Sequence, residues 1–173
     1  MLIAMAGPPG SGKSTIARAL ARALRCALLS VDPIEAALWR SGVDRGQPTG
    51  LAAYVVAEDL AEEQLRLGHD VVVDAVNDVA AARDQWRSLA ERRARPLAFI
   101  EVFCSDPAEH RRRLEGRERG IAGFPEPSWE SVAARVTGLA DWHEARLRLD
   151  SMRPPDENVH TALAHLGRPP TPP

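Results

Sequence analysis

The chain has 173 residues, 45% of them hydrophobic and 27% charged, and a formal net charge of −2. That size fits one α/β domain able to bury about two thirds of its unfolded surface, and the charge balance gives no general attraction to nucleic acid or to an anionic membrane. No stretch is long enough to span a bilayer, and the opening apolar run is too short for a signal peptide, so a cytoplasmic protein is expected. Cys26 and Cys104 lie in apolar runs without metal-ligand spacing and read as buried free thiols of a reducing compartment.

Met1 to Ala6 is an apolar run of buried-strand length. Gly7-Pro8-Pro9-Gly10-Ser11-Gly12-Lys13-Ser14-Thr15 follows and fits the P-loop pattern G-x-x-x-x-G-K-[ST]. After it, Ile16, Leu20 and Leu24 repeat at helical spacing, with Arg18, Arg22 and Arg25 on another face. Strand, loop and helix are what the motif requires. Gly7, Gly10 and Gly12 let successive N–H groups converge on one concavity, and the helix N-terminus adds partial positive charge, so phosphate oxygens are held there. The nucleotide-binding set is Gly7, Gly10, Ser11, Gly12, Lys13, Ser14 and Thr15. Lys13 reaches the β- and γ-phosphates, Ser14 ligates Mg²⁺, and Thr15 supports it by local hydrogen bonds. Lys13 is the only lysine of the chain; every other cationic position among the 22 Lys and Arg is Arg. A compact ammonium suits a crowded phosphate site where a planar guanidinium does not.

Cys26 to Val31 reads as a second strand, after which Asp32 opens a helix through Trp39; Asp32-Pro33-Ile34-Glu35 is a good capping box. Residues 42–50 are loop by composition, and Ala53, Val56, Ala57, Leu60 and Leu67 mark a helix that Gly68 stops. Val71-Val72-Val73-Asp74 is a buried parallel strand ending in a carboxylate. Asn77 and Asp78 cap a helix to about Arg93 with Val79, Ala82, Trp86 and Leu89 inward. Leu97 to Cys104 is a strand in which Glu101 calls for a paired charge. Asp106-Pro107-Ala108-Glu109 opens a basic helix bearing Arg111, Arg112, Arg113 and Arg117. Gly116, Gly120, Gly123, Pro125 and Pro127 suggest a hinged lid, and Ser128 caps a helix to about Ala145. Arg146 to Leu149 is a short strand, Asp156 caps a helix ending near Leu166, and residues 167–173 read as a disordered tail. Alternating strands and helices predict a parallel sheet covered on both faces, with ligands at the strands' C-terminal ends. Trp86, Trp129, Trp142 and His143 read as core before pocket, whereas Tyr54 and Trp39 flank the expected acceptor side.

The combination of GPPGSGKST, SVDPIE, VVVDAVND and SDPAEHRRRLEGR resembles the small P-loop kinases. The nearest group is AAA-type, polynucleotide-kinase-like and zeta-toxin-like, near gluconate, shikimate and adenylyl-sulfate kinases. The resemblance implies a three-layer P-loop fold with a five-stranded parallel sheet of nucleoside-monophosphate-kinase type. It implies one kinase domain over 1–166, a helical lid at about 113–130, and transfer of the γ-phosphate of Mg-ATP to a small-molecule hydroxyl. By analogy Asp32 takes the proton of the acceptor, Asp74 acts on Mg²⁺ or contacts the acceptor, and Arg113 and Arg117 come from the lid, Arg117 as a catalytic cation and Arg113 against the nucleotide. SVDPIE departs from the Asp-Gly-Asp pattern of adenylyl-sulfate kinases, which argues against that acceptor. A polynucleotide 5′-hydroxyl kinase would need a basic track beyond the single arginine cluster. An ATP-binding or hydrolysing regulator without an acceptor is the third reading. The guanine-reading Asn-Lys-x-Asp segment of GTPases is absent and, with Lys13 the only lysine, cannot occur, which argues against a GTP switch. Oligomeric state and the acceptor's identity do not follow from the sequence.

Overall fold

The computed structural model describes residues 1–117, 121 and 126–168. Its elements alternate as the sequence predicts: β1 (Leu2–Ala6), α1 (Lys13–Leu24), β2 (Ala27–Ser30), α2 (Val31–Arg40), α3 (Thr49–Arg66), β3 (Val71–Asp74) and α4 (Ala80–Arg92). They continue with β4 (Leu97–Phe103), α5 (Pro107–Glu115), α6 (Trp129–Ala140), β5 (Leu147–Asp150) and α7 (Pro155–His165). The five strands form one parallel sheet in the order β2-β3-β1-β4-β5. The central strand β1 therefore has both its edges paired, and its buried run LIAMA has no polar face to present.

Strand alternation divides the interior into two cores. Leu2, Ala4, Ala6, Val71 and Val73 face the side covered by α3 and α4, where Trp86, Leu89 and Trp142 pack. Ile3, Met5 and Val72 face α1 and α7, against Ile16, Leu20 and Leu163. α3 meets the sheet through Ala53, Ala57, Ala61 and Leu65, a strict four-residue repeat. The stripe expected from Val56, Leu60 and Leu67 is wrong: these are 37%, 46% and 59% exposed. The small alanines let the helix approach the sheet closely, and this preference outweighs side-chain size.

Several expected caps are also corrected. α2 begins at Val31 with Ser30 in the cap position and no side-chain cap bond, so Asp32 lies inside the first turn. The cap position of α4 is Val79, which is exposed; Asn77 is instead fully buried, at φ 52°. Its Nδ2 donates to the Met5 carbonyl at 2.7 Å, its Oδ1 accepts from the Trp86 indole at 2.9 Å, and it thereby ties β1, the β3–α4 connection and α4 together. Asp156 is in the first turn of α7, behind Pro154. α6 ends at Ala140, short of Ala145. Asp106 and Ser128 are caps as expected, Asp106 accepting from the Ala108 and Glu109 N–H groups and Ser128 from the Ser131 N–H. Trp86 and Trp142 are core, His143 is exposed, and both cysteines are free but half-buried. Gly167 and Arg168 remain hydrogen-bonded to the end of α7, whereas residues 169–173 lie outside the described residues.

Glu101, on β4, is 3% exposed. Its carboxylate accepts from Arg146 Nε at 2.5 Å and from Arg148 Nε at 3.1 Å, Arg148 standing opposite it in the β4–β5 register. Arg146 is itself enclosed and stacks on Trp142 at 4.5 Å, while the Arg148 side chain is 55% exposed. Arg146→Ala should therefore lower unfolding free energy by about 3–5 kcal/mol in denaturant titration, since it leaves a buried carboxylate short of its enclosed partner. Arg148→Ala should cost below about 1 kcal/mol.

Candidate active site

The P-loop leaves β1 at Gly7, whose φ is 138° and where a Cβ would lie 2.2 Å from the Val102 carbonyl oxygen. No side chain fits there. Gly7 N–H donates to the Val76 carbonyl at 3.0 Å, anchoring the loop to the β3–α4 connection. The loop's outer turn is held from α5: His110 Nε2 donates to the Pro9 carbonyl at 2.8 Å, and the His110 ring stands edge-on to Trp129, which is half-buried. Sequence patterning gave no sign of His110. The loop closes on a cavity of about 220 Å³ lined by Gly10, Ser11, Gly12, Lys13, Ser14 and Thr15 together with Arg18, Arg113 and Arg117. Ser11 Oγ is buried there without a hydrogen-bond partner among the described residues, an orphan polar atom that an incoming phosphate oxygen would satisfy.

Lys13 opens α1 and is 9% exposed. Its ammonium is paired with Asp74, at the end of β3. The β1–β3 register sets Met5 beside Asp74, so the loop that follows β1 returns its lysine to the neighbouring strand's last residue. Burial works against the Asp74 carboxylate, but the charge and hydrogen bond of Lys13, with a hydrogen bond from the Ser14 hydroxyl, outweigh it and hold the group below the usual carboxylate range. Ser14 and Asp74 are thus adjacent hard oxygen donors, the set expected of Mg²⁺ bound largely by phosphates and water. Arg18, read from the sequence only as lying on another face than the apolar stripe, lines this cavity as well. It falls four residues after Ser14, on the same side of α1, and that spacing was the available signal.

Arg113 donates from Nε to Glu109 Oε1 at 2.7 Å and from Nη1 to Ser151 Oγ at 2.9 Å, which fixes the guanidinium between α5 and the end of β5. Arg117 faces Glu126 at 3.9 Å. Of the lid expected over about 113–130, residues 118–120 and 122–125 lie outside the described residues.

A second, larger cavity of about 570 Å³ adjoins the first, and Pro9, Asp32 and Val76 line both. Asp32 therefore stands at the boundary between the two. Tyr54 lines the larger cavity and accepts from the Asn77 N–H at 3.3 Å. Burial pushes its phenol up to about 12, with the charges of Asp78 and Asp32 adding to the effect. Trp39 is not a lining residue. Its indole donates to Thr49 Oγ1 at 2.9 Å, and Thr49 donates to Glu35 Oε1 at 2.8 Å, a chain that locks α2 to α3.

Residues 2–139 match a family model described as an AAA domain. The chain belongs to this family of P-loop domains. It is 32% identical to an uncharacterized protein of Mycobacterium tuberculosis strain H37Rv over 96% of its own length, but it spans only 34% of that relative. It is 32% identical to the shikimate kinase of Corynebacterium efficiens, covering 95% of this chain and 96% of that one. The fold superposes on the APS kinase of M. tuberculosis solved with AMPPNP and APS, with TM-score 0.68 and 19% identity over 96% of each chain. Two of these relatives are kinases by name, and no helix among the described residues of this chain is long and apolar enough to cross a membrane.

Two outcomes test the cradle. Gly7→Ala should cost about 3 kcal/mol or more in denaturant unfolding, because backbone must move. Gly42→Ala, also at positive φ but with nothing within 4 Å of its Cβ, should cost about 1–2 kcal/mol. Lys13→Met should cost about 3–5 kcal/mol at neutral pH by leaving Asp74 buried and unpaired. Folding lowers the Asp74 pKa, so the pair's stabilisation is present above the ordinary carboxylate range and is lost as pH falls through the folded value. The stability gap between wild type and Lys13→Met should accordingly shrink below about pH 4.

Proposed function

We propose that the protein transfers the γ-phosphate of ATP to a hydroxyl of a small-molecule acceptor. The observation that carries this reading is the joint position of Asp32, which lines both the phosphate cradle and the adjoining cavity. A kinase needs one carboxylate in that position, within reach of the acceptor oxygen and facing the phosphoryl group. A nucleotide hydrolase without an acceptor has no use for the second cavity.

Lys13 exchanges Asp74 for the β- and γ-phosphates and neutralises their charge, and the backbone N–H groups of the loop with Ser11 Oγ orient them. Asp32 accepts the proton of the acceptor hydroxyl as its oxygen bonds to phosphorus; the bond from that phosphorus to the bridging oxygen breaks, and ADP leaves with the electron pair. Arg117 meets the charge that spreads onto the transferred group, and Arg113, braced by Glu109 and Ser151, holds the nucleotide side. Ser14 and Asp74 would hold Mg²⁺, which when bound offsets charge on the phosphate oxygens. The APS kinase of similar fold is solved in complex with AMPPNP and APS together, so this fold can hold two ligands at once.

Incubation with Mg-ATP and a fractionated metabolite and antibiotic mixture, followed by mass spectrometry, should reveal an acceptor heavier by one phosphate, absent with Lys13→Ala. Free phosphate and ADP without such a product would reject the acceptor reading. On the acceptor found, Asp32→Asn should reduce kcat by about 10²-fold or more, and Arg117→Ala should lower kcat far more than ATP affinity.

A further inference from the structure

We infer that His110 is a positioning residue that locks the Pro9–Gly10 peptide, so that the Gly10 N–H is presented to an incoming phosphate. The inference rests on the nucleotide half of the function proposed above and needs no acceptor. A trans peptide unit is planar, with its C=O and N–H pointing in opposite directions, and the described chain has no cis peptide. His110, buried on α5, donates from Nε2 to the Pro9 carbonyl at 2.8 Å; a carbonyl oxygen only accepts, so the ring proton is on Nε2. Holding that oxygen toward the imidazole turns the Gly10 N–H to the opposite side of the loop. Gly10 lines the P-loop cavity, and its N–H has no hydrogen-bond partner among the described residues, as a donor kept for a ligand would have none.

The loop cannot lock this peptide by itself. Pro8 and Pro9 carry no N–H, and the turn's internal bond runs from the Ser11 N–H to the Pro8 carbonyl at 3.2 Å, which leaves the Pro9 carbonyl to His110 among the described residues. The Pro9 ring fixes φ but not ψ, and Gly10, at φ 81°, has no Cβ to oppose the coupled rotation that flips the peptide between them. Flipped, the unit would present a carbonyl oxygen where a phosphate oxygen needs a donor. The imidazole is seated closely enough to prevent this: a Cβ on Gly10 would lie 3.2 Å from His110 Cδ2 and 3.2 Å from Leu114 Cβ, so α5 packs directly on the glycine. The helix is itself held, by the Asp106 cap at its start and by Arg113, three residues after His110, which donates to Ser151 Oγ. The His110 ring also stands edge-on to Trp129, with centroids 5.2 Å apart, and this contact restrains its rotation.

The test uses the full chain with Mg-ADP as the probe, in calorimetry and in amide NMR of Gly10. His110→Phe keeps an aromatic ring against Gly10 and Trp129 and removes the donor; His110→Gln restores a donor at about the reach of Nε2. His110→Phe should weaken Mg-ADP binding about fivefold at full stoichiometry, and His110→Gln should stay within about twofold of wild type. A merely structural loss would instead lower the fraction of protein able to bind and leave the Kd of the remainder unchanged. The Gly10 amide signal should move downfield with Mg-ADP in wild type and in His110→Gln, as its N–H meets a charged oxygen, and by about half as much or less in His110→Phe. An unchanged Kd in His110→Phe, an equal loss in His110→Gln, a Gly10 signal that shifts alike in all three proteins, or no Mg-ADP binding by wild type would each overturn the inference. A phosphorylated acceptor found while His110→Phe binds Mg-ADP normally would overturn the lock and leave the phosphotransferase standing. Loss of affinity in His110→Phe with rescue in His110→Gln, and no acceptor ever gaining phosphate, would uphold the lock and reject the transfer.

Discussion

The buried contact between Lys13 and Asp74 is the constraint on which the rest of the site depends. It exists because β1 and β3 are neighbours in register, with Met5 beside Asp74. The chain leaves one strand through a glycine that cannot be replaced and turns back within a few residues, so the lysine opening α1 meets the carboxylate ending β3. Two charges in so little water are costly to bury separately and tolerable only together. The pair therefore keeps the P-loop ammonium in place, and the Ser14 hydroxyl beside it adds a second oxygen donor next to the Asp74 carboxylate.

Around that pair two cavities meet. Arginines from α1, α5 and the segment after it surround the phosphate cradle, while carboxylates from α2, the β3–α4 connection and the segment before α6 line the neighbouring cavity. Asp32 belongs to both. The parallel sheet produces this arrangement, since every strand delivers its C-terminal residues to the same edge and each following helix contributes its first turn there. Asn77, in the left-handed region and bonded to Met5 and Trp86, and His110, bonded to the Pro9 carbonyl, brace the loop from opposite sides.

Much of this was legible before any coordinates. The P-loop residues, the strand VVVD ending in its acid, the cap at Asp106 and the cap at Ser128 all rest on local rules, in which a side chain acts on backbone a few residues away. The errors share a cause. Asp32, Asn77 and Asp156 have the chemistry of helix caps, yet the helices begin elsewhere, because the end of each preceding strand and the packing against the sheet decide where the first turn forms. Val56 and Leu60 are larger than Ala57 and Ala61 but face outward, because closeness to the sheet favours the small residue.

The sequence by itself determined a P-loop between a strand and a helix, the alternating order of elements, and the place of the chain's one lysine in that loop. These follow from contacts short in sequence. Only the tertiary structure decided that Glu101 is answered by Arg146 and Arg148 at and just before β5, that Arg18 lines the P-loop cavity, and that Asp32, Glu35, Asp78 and Glu126 share one cavity. Those residues come together through strand order and crossover connections, and no spacing along the chain encodes which distant carboxylates will face the same void.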